Sequence, residues 1–435
     1  MILQNGHRWK VEKSKGVVTT SFAGLPLLTE LAHHTGLVKA LDALPGLWQR
    51  RGTYTTSDYI LGLALTLTAG GEGLDDTRVL EGDTGLAQLA LPGIPAANSI
   101  GEFLRRFTNR SLLRLSEVVT RQAVECIKPG QAVTLDIDST VIESDKKDAK
   151  RTYKGVDGYN PLLAWIDELD VFIGGVFREG NASPQSHLSS LLRYCRRRLP
   201  PGVRLRVRSD SAGYQLKVME DCVRHSNEFA IRADLDPSVR AAIETIPQKA
   251  WQLVVRGNDT FLLAETVHAP GAGGSRAQAR LPAFRLVVVR RTGQLDLFRD
   301  PIEYYPIIAN LPDSWSAEQV LDFYNGRGRM EKAIGEAKNG FALHWLPCGA
   351  LFANAAYFQT ALLAYNLART FRRMALPANW QSFSIKSLRF RLLCHAGVIV
   401  RHARRLILRL SDAFPFYDVF EQARWAVMSP HGAPT

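Results

Sequence analysis

The feature that most constrains the fold is a change of hydrophobic period at Pro129-Gly130. Residues before this break read as helical. After it, apolar Val133, Leu135 and Ile137 alternate with polar residues, which is typical of a half-buried strand. Strands come first and then alternate with helices, a pattern that predicts an α/β protein with a mixed sheet. The chain has 435 residues, enough for several structural units.

Five regions are predicted along the chain. Residues 1–130 form a helical DNA-binding region. Within it, a Pro/Gly turn before a basic helix resembles a helix-turn-helix, although many small helical bundles have the same pattern. Residues 131–234 form the first part of the core, with strands near 133–137, 162–166, 171–177, 203–207 and 228–231. Residues 235–310 form a β-rich insertion with strands at 251–255, 260–265, 284–290 and 295–298. Residues 311–345 carry a long helix through Lys338, and residues 346–435 form a basic helical C-terminal region.

The charge distribution favours a nucleic-acid partner. The chain carries 54 Lys and Arg against 42 Asp and Glu, a net charge of +12. A surplus of this size favours a polyanionic partner over a small metabolite. The stretch from residue 361 to the end holds eleven basic and three acidic residues, including Arg401, Arg404 and Arg405. Further clusters lie at 193–208 and 146–154, which fits a protein that follows a phosphate backbone.

Other sequence features indicate the cellular compartment of the protein. Five scattered cysteines without a CxxC pair argue against a disulfide framework and a structural zinc site. No signal peptide is expected. The longest apolar run, residues 59–69, is far shorter than the roughly 20 residues of a membrane span. We therefore expect a soluble, cytoplasmic protein with no membrane association.

Three acids are candidates for the chemistry. Asp138 ends the first strand, Asp210 follows the strand at 203–207, and Glu331 lies on the long helix. Acids at the carboxyl ends of strands lie where α/β sheets open their crevices. Three carboxylates suit Mg²⁺, and two such ions about 4 Å apart promote in-line phosphodiester displacement. Asp136 shares a strand face with Asp138, so the pattern alone does not choose between them, although Asp138 is nearer the strand end.

One helical face is more specific. Tyr324, Arg327, Glu331 and Lys338 fall within about 60° of one another at 100° per residue. Surface ladders of ion pairs also give charged stripes. Here, however, the cations outnumber the acid and a tyrosine joins them, which suits a scissile phosphate held beside a metal ligand.

The spacing Tyr-x2-Arg-x3-Glu-x6-Lys, together with Asp138-Ser139-Thr140 and the aspartate at 210, resembles bacterial insertion-sequence transposases of the DDE class. The broader likeness is to insertion-sequence family four and the closer one to the family numbered thirteen-eighty. Supporting segments include Tyr153-Lys154-Gly155, Tyr159-Asn160-Pro161 and Leu363-Ala364-Tyr365-Asn366. The likeness runs over nearly the whole chain. Gly326, Gly328 and Gly335 are unusual residues for the interior of a helix. Each is expected to reduce helix stability by roughly 1 kcal/mol relative to Ala.

The resemblance implies a ribonuclease-H-like core interrupted by the β-rich insertion and flanked by helical regions. It implies that Asp138, Asp210 and Glu331 bind two Mg²⁺ ions, with Mn²⁺ able to replace them. It also implies that Tyr324, Arg327 and Lys338 contact the transposon end. The expected partners are inverted-repeat and target DNA, with a homodimer in the synaptic complex on the bacterial nucleoid.

The expected function is that of a transposase that cleaves the ends of its element and joins them to target DNA. Two alternatives stay open: a decayed copy that acts as a DNA-binding repressor, and a metal-dependent nuclease. The resemblance also suggests a hairpinned DNA end, in which a base leaves the stack. Trp251, which begins an insertion strand, is a candidate to stack on that base or an ordinary core aromatic.

Overall fold

The computed structural model describes residues 16–47, 52–90, 93–271, 281–292 and 302–429. The predicted strand at 295–298 lies outside these residues. The strands are β1 (Val18–Thr20), β2 (Ala132–Ser139), β3 (Ile142–Glu143), β4 (Lys150–Arg151), β5 (Asp157–Tyr159), β6 (Leu162–Ile166), β7 (Val171–Val176), β8 (Arg204–Ser209), β9 (Glu228–Arg232), β10 (Gln252–Arg256), β11 (Asp259–His268), β12 (Phe284–Thr292), β13 (Ile302–Ala309), β14 (Gly397–His402) and β15 (Arg405–Arg409). The helices are α1 (Leu25–His34), α2 (Leu37–Asp42), α3 (Thr56–Ala69), α4 (Thr77–Glu81), α5 (Thr84–Leu89), α6 (Ala97–Leu104), α7 (Asn109–Val124), α8 (Leu188–Arg196), α9 (Leu216–Arg224), α10 (Pro237–Glu244), α11 (Ala317–Asn325), α12 (Gly328–Gly340), α13 (Leu351–Ala375), α14 (Ile385–Leu388) and α15 (Tyr417–Met428).

A nine-stranded mixed sheet organises the molecule, with the order β10-β11-β12-β13-β9-β8-β2-β6-β7. Strands β2, β8 and β9 are parallel, and the other neighbouring pairs are antiparallel. The mixed α/β class predicted from the sequence is confirmed. Because parallel strands end at the same edge, β2, β8 and β9 bring the residues that follow them together.

The strands predicted as an insertion continue this sheet. Strand β13 pairs with β9, with Ile307 opposite Arg232, and β12, β11 and β10 follow in order. The sequence did not indicate β13, in which Pro306 cannot donate a backbone hydrogen bond. This strand satisfies the β9 edge, where unpaired backbone groups would otherwise remain.

Helices from both ends of the chain share one hydrophobic cluster against the β6–β7 end of the sheet. Helix α13 is buried almost all round at its centre. Its Asn366 accepts from the Phe172 backbone N–H and donates to the Phe172 carbonyl, both at 2.8 Å, so a side-chain amide pairs the free edge of β7. The helix-turn-helix pattern predicted two consecutive helices, which correspond to α3 and α6. Helices α4 and α5 lie between them, so α3 and α6 are not consecutive.

Two sequence expectations need correction. The long helix predicted through Lys338 is divided at Gly326-Arg327 into α11 and α12. The C-terminal region is not wholly helical, because β14 and β15 form a hairpin that pairs with β1. Its two-residue turn places Ala403 (φ 47°) and Arg404 (φ 65°) in the left-handed region. Within the described ranges, no helix is both long and apolar enough to cross a membrane.

Candidate active site

Asp138 and Asp210 lie side by side at the carboxyl edge of the sheet. Ile137 of β2 pairs with Ser209 of β8, so the next residue of each chain segment occupies neighbouring positions, on strands about 4.8 Å apart. Asp138 accepts a hydrogen bond from the Ser139 N–H at 2.7 Å. Asp210 accepts from the Ala212 N–H at 3.1 Å and so caps a short 3₁₀ turn. Burial, reinforced by the charge of Asp210, raises the pKa of Asp138 to about 6.

Arg327 links Asp138 to Glu331. One guanidinium nitrogen donates to Asp138 at 2.7 Å and another donates to Glu331 at 2.6 Å. Although burial alone would lower it, the carboxylates of Asp138 and Glu331 raise the pKa of Arg327. The Arg327 side chain is 15% exposed, whereas that of Glu331 is 58% exposed. The third acid therefore lies beside the two aspartates and faces solvent.

The structure separates the roles of Asp136 and Asp138. Asp136 is fully buried, and its two oxygens accept from Arg208 at 2.6 Å each. Arg208 also donates to Asp167 at 2.8 Å and to the Phe323 carbonyl at 2.8 Å, and Arg329 pairs with the same carboxylate of Asp167. Asp136 is thus used inside a buried ion network that ties β2, β8 and α11 together. Asp138 lies outside this network, beside Asp210 and Arg327.

The same network explains Gly326, one of the three glycines that depart from an ordinary helix. A Cβ at this position would lie 2.2 Å from a guanidinium nitrogen of Arg208. Glycine therefore lets the α11–α12 junction pass over the buried arginine. No atom lies within 4 Å of a Cβ built at Gly328 or Gly335, so close packing does not require glycine there.

The other two members of the sequence stripe are less exposed than the helical-face argument predicts. Tyr324 is only 2% exposed and packs edge-on against Tyr305, with ring centroids 5.9 Å apart. Burial raises its pKa. In this conformation Tyr324 offers no surface to DNA. Lys338 donates to the Val141 carbonyl at 2.7 Å, and burial together with nearby Lys154 lowers its pKa. Lys338 therefore holds the segment that follows Asp138.

Sequence reasoning did not select Tyr153 and Lys154 as site residues. They lie in the turn between β4 and β5 of the small sheet β3-β5-β4, which the chain forms between β2 and β6. Tyr153 is 57% exposed, and burial of its hydroxyl together with the charges of Asp138 and Asp210 raises its pKa. The Lys154 ammonium lies 5.9 Å from the Tyr153 ring centroid. The sequence signals for these residues were the Tyr-Lys-Gly segment that supported the family resemblance and, for Lys154, the basic cluster at 146–154.

Trp251 is not brought to the carboxylates. It packs against Tyr304, with ring centroids 6.1 Å apart, and the Arg290 guanidinium lies 5.1 Å from its ring centroid. It belongs to the hydrophobic cluster on the sheet face opposite Tyr324. Six strand spacings of about 4.8 Å separate β10 from β2. These positions favour the core-aromatic interpretation over a base-stacking role at the cut within one subunit.

Arg401, Arg404 and Arg405 are exposed at the tip of the β14–β15 hairpin. The hairpin pairs with β1 and is not part of the nine-stranded sheet that carries the carboxylates. These arginines are therefore not on the sheet edge that carries Asp138 and Asp210.

The donor set suits a divalent cation once Arg327 moves. As they stand, no three acidic, His or Cys side chains among the described residues are grouped to hold an ion. Arg327 takes up the oxygens of Asp138 and Glu331 that would be ligands. However, Asp138 is only partly exposed and is repelled by Asp210, and a cation between them would relieve that repulsion. The exposed Glu331 side chain is free to reorient, so the residues fit oxygen coordination of a hard cation.

Comparison with known proteins shows the fold and the family to which the chain is related. The structure is similar to a solved piggyBac transposase synaptic complex with hairpin DNA, with a TM-score of 0.50 and 11% sequence identity. The similarity covers 84% of this chain and 79% of that chain, and at this identity it concerns the fold. No curated protein matches the chain. The family model described as transposase DDE domain group 1 matches residues 4–429, and the chain belongs to this family of transposases.

Proposed function

We propose that the protein is a metal-dependent polynucleotidyl transferase that binds the inverted repeats of an insertion sequence, cleaves its ends and joins them to target DNA. The observation that carries this proposal is the placement of Asp138 and Asp210 on neighbouring parallel strands, with Glu331 tied to Asp138 through Arg327. The proposed core is ribonuclease-H-like. Its support is an antiparallel β7-β6-β2 unit followed by parallel β8 and β9.

Asp138, Asp210 and Glu331 would hold Mg²⁺ ions, with Mn²⁺ as a substitute. When bound, these ions supply charge that polarises the attacking and leaving oxygens. In cleavage, a water oxygen forms a bond to phosphorus and the P–O3′ bond breaks, which leaves a 3′-hydroxyl and a 5′-phosphate. In strand transfer, that 3′-hydroxyl forms the new bond to a target phosphorus and a target 3′-oxygen leaves.

The remaining side chains bind and orient DNA. Arg327, once released by the carboxylates, presents a planar fork of donors to the oxygens of a phosphate. Lys338 and Lys154 add positive charge near the strand end. Arg401, Arg404 and Arg405 contribute contacts to the backbone away from the cut, and Tyr324 positions Arg327 from within the core. We propose that the active assembly is a homodimer that holds two element ends on the bacterial nucleoid.

The test compares Asp138→Asn, Asp210→Asn and Glu331→Gln with Glu244→Gln, an exposed acid on α10. The substrate is a duplex that carries the inverted repeats flanking the gene. Each variant of the three acids should lose Mg²⁺-dependent nicking by at least about 10³-fold, because a lost metal ligand removes several kcal/mol of transition-state stabilisation. End binding in EDTA should change by less than threefold.

The control variant should nick at the wild-type rate. If the wild-type protein binds its ends but does not nick them, it is a DNA-binding repressor rather than an enzyme. If it nicks duplexes without regard to the inverted repeats and joins no ends, it is a nuclease. Equal loss of binding in all three variants would mean that these acids are structural.

A further inference from the structure

A cavity of about 880 Å³ lies at the edge of the sheet beside the carboxylates. It runs between the first turn of α10 and the last turn of α11, across the exposed ends of β10 to β13. Among the described residues, four arginines and three aromatic residues line it: Arg232, Arg240, Arg256, Arg291, Phe261, Tyr304 and Tyr305. Two acids of the described ranges, Asp259 and Glu303, share this lining. The cavity is therefore positively charged and has aromatic walls.

Two of the four arginines are neutralised. Arg291 donates to Asp259 at 2.6 Å, and Arg256 pairs with Asp322 of α11. Within the described part of the chain, Arg232 and Arg240 form no ion pair with a carboxylate. Their charges are therefore available to an anionic ligand.

Arg232 is held in a geometry that suits a phosphate. Its guanidinium lies over the Tyr305 ring, 4.3 Å from the centroid. A guanidinium stacked on a ring keeps its N–H donors in the plane, where they point away from the aromatic face. The stacked side chain also loses less conformational freedom on binding than an unsupported one. Arg240 donates to the Leu235 carbonyl at 3.2 Å, which fixes the second cation at the same mouth.

The cavity is next to the candidate active site. Ser209 of β8 pairs with Ile231 of β9, so the following residues, Asp210 and Arg232, occupy adjacent positions on strands about 4.8 Å apart. On the other wall, Asn325 lines the cavity two residues before Arg327, which contacts Asp138. A DNA strand that leaves the carboxylates therefore has a direct path into the cavity.

We propose that this cavity binds the phosphodiester backbone of an unpaired DNA strand adjacent to the cleavage point. This inference rests on the proposed function, which places DNA at the carboxylates. A volume of about 880 Å³ lies within the range of about 300–1,000 Å³ typical of small-molecule sites, which admits a few nucleotides of one strand and not a duplex. Aromatic walls also favour unpaired bases, whose faces are free.

The test measures binding of fluorescein-labelled dT20 and of a 20-base-pair duplex by anisotropy in EDTA, over a series of salt concentrations. The Arg232→Gln/Arg240→Gln variant should bind dT20 at least about tenfold more weakly. Because each phosphate neutralised on a single strand contributes about −0.7 to the log–log salt slope, the slope should become shallower by about 1.4. Duplex binding should change by less than twofold. Arg224→Gln, an exposed arginine at the C-terminal end of α9, should leave all values unchanged.

Arg232→Lys separates charge from geometry. It should keep the salt slope and lose affinity, because lysine retains the charge without the planar stacked fork. A second measurement maps contacts directly, by photocrosslinking an oligonucleotide that contains 5-iododeoxyuridine. Adducts are expected on the peptide that carries Tyr304 and Tyr305.

An unchanged dT20 affinity and slope, or adducts confined to the 397–409 hairpin, would overturn the proposal. Equal losses on dT20 and duplex would show a duplex-binding surface and would also overturn it. The proposed function fails separately, through loss of metal-dependent nicking by the wild-type protein. Binding of dT20 in EDTA does not depend on that activity, so the two failures are distinguishable.

Discussion

Two aspartates on one strand face, two residues apart, are expected to respond in opposite directions to the same substitution. In metal-free protein at pH 7.5, Asp138→Asn should stabilise the fold, whereas Asp136→Asn should destabilise it. Both changes replace a carboxylate with a neutral amide of nearly the same shape. Burial raises the pKa of both carboxyl groups, and the difference in sign follows from what each one contacts. Asp138 faces the like charge of Asp210, whereas Asp136 accepts two hydrogen bonds from buried Arg208.

For Asp138 the magnitude comes from its pKa. Burial and Asp210 raise the pKa of Asp138 from 3.8 to about 6, so the folded state disfavours the ionised form. At about 1.36 kcal/mol per pKa unit, ionised Asp138 costs the fold about 3 kcal/mol above pH 6. The folded state binds more protons than the unfolded state between pH 4 and 6, so this cost grows as pH rises through that window. Asn, which mimics the neutral acid, removes the cost at pH 7.5 and makes little difference near pH 4.

For Asp136 the magnitude comes from its buried partner. Arg208 is 1% exposed and donates two hydrogen bonds of 2.6 Å to Asp136. Removing one charge from a buried pair leaves the other poorly compensated and costs about 3–5 kcal/mol. Asp167 still contacts Arg208, so the lower end of that range is expected. This loss is expected where Asp136 is ionised, and it becomes smaller as the pH falls and the carboxyl group takes up a proton.

Thermal unfolding in EDTA, followed by differential scanning fluorimetry and circular dichroism at pH 4.5 and 7.5, measures both effects. Asp138→Asn should raise the midpoint by a few degrees at pH 7.5 and by much less at pH 4.5. Asp136→Asn should lower it at pH 7.5 and by less at pH 4.5. A lower midpoint for Asp138→Asn at pH 7.5 would refute the reasoning, because the carboxylate would then be a net stabiliser held by Arg327.

Three further outcomes are expected. Gly326→Ala should destabilise the protein by about 1–3 kcal/mol, because the new Cβ would lie 2.2 Å from Arg208. Gly328→Ala has open space around the new Cβ and should be neutral or stabilising by up to about 1 kcal/mol. Equal effects of the two variants in thermal unfolding would contradict this account. Mg²⁺ at millimolar concentration should raise the wild-type midpoint at pH 7.5 by relieving the repulsion between Asp138 and Asp210, and a similar rise in Asp138→Asn would place the ion elsewhere. Neutralising Arg401, Arg404 and Arg405 together should make the log–log salt slope of duplex binding shallower. The expected change is about 0.9 for each phosphate that these arginines neutralise in the wild-type complex. An unchanged slope would mean that the hairpin faces solvent or another subunit.

Local pattern in the sequence was enough to predict the central strands. Alternation at Val133, Leu135 and Ile137 predicted β2, and similar patterns predicted β6, β8 and β9 with small errors at the ends. These strands are buried in the sheet, where side-chain periodicity follows directly from the pleat. The placement of acids after β2 and β8 followed from the same pattern. The transposase resemblance, carried by motif spacing, agrees with the family to which the chain belongs.

Tertiary contacts decided what local pattern could not. Asp136 and Asp138 have the same residue type and the same strand face, and only the position of Arg208, 72 residues away in the chain, assigns one to the core and the other to the site. Tyr324 and Arg327 share a helical stripe, yet Tyr305 from β13 buries the first while Asp138 binds the second. The continuous sheet likewise depends on β13, whose pairing with β9 joins segments about 75 residues apart. Periodicity specifies which side of an element a residue occupies, and the partner that the fold brings to that side determines what the residue does.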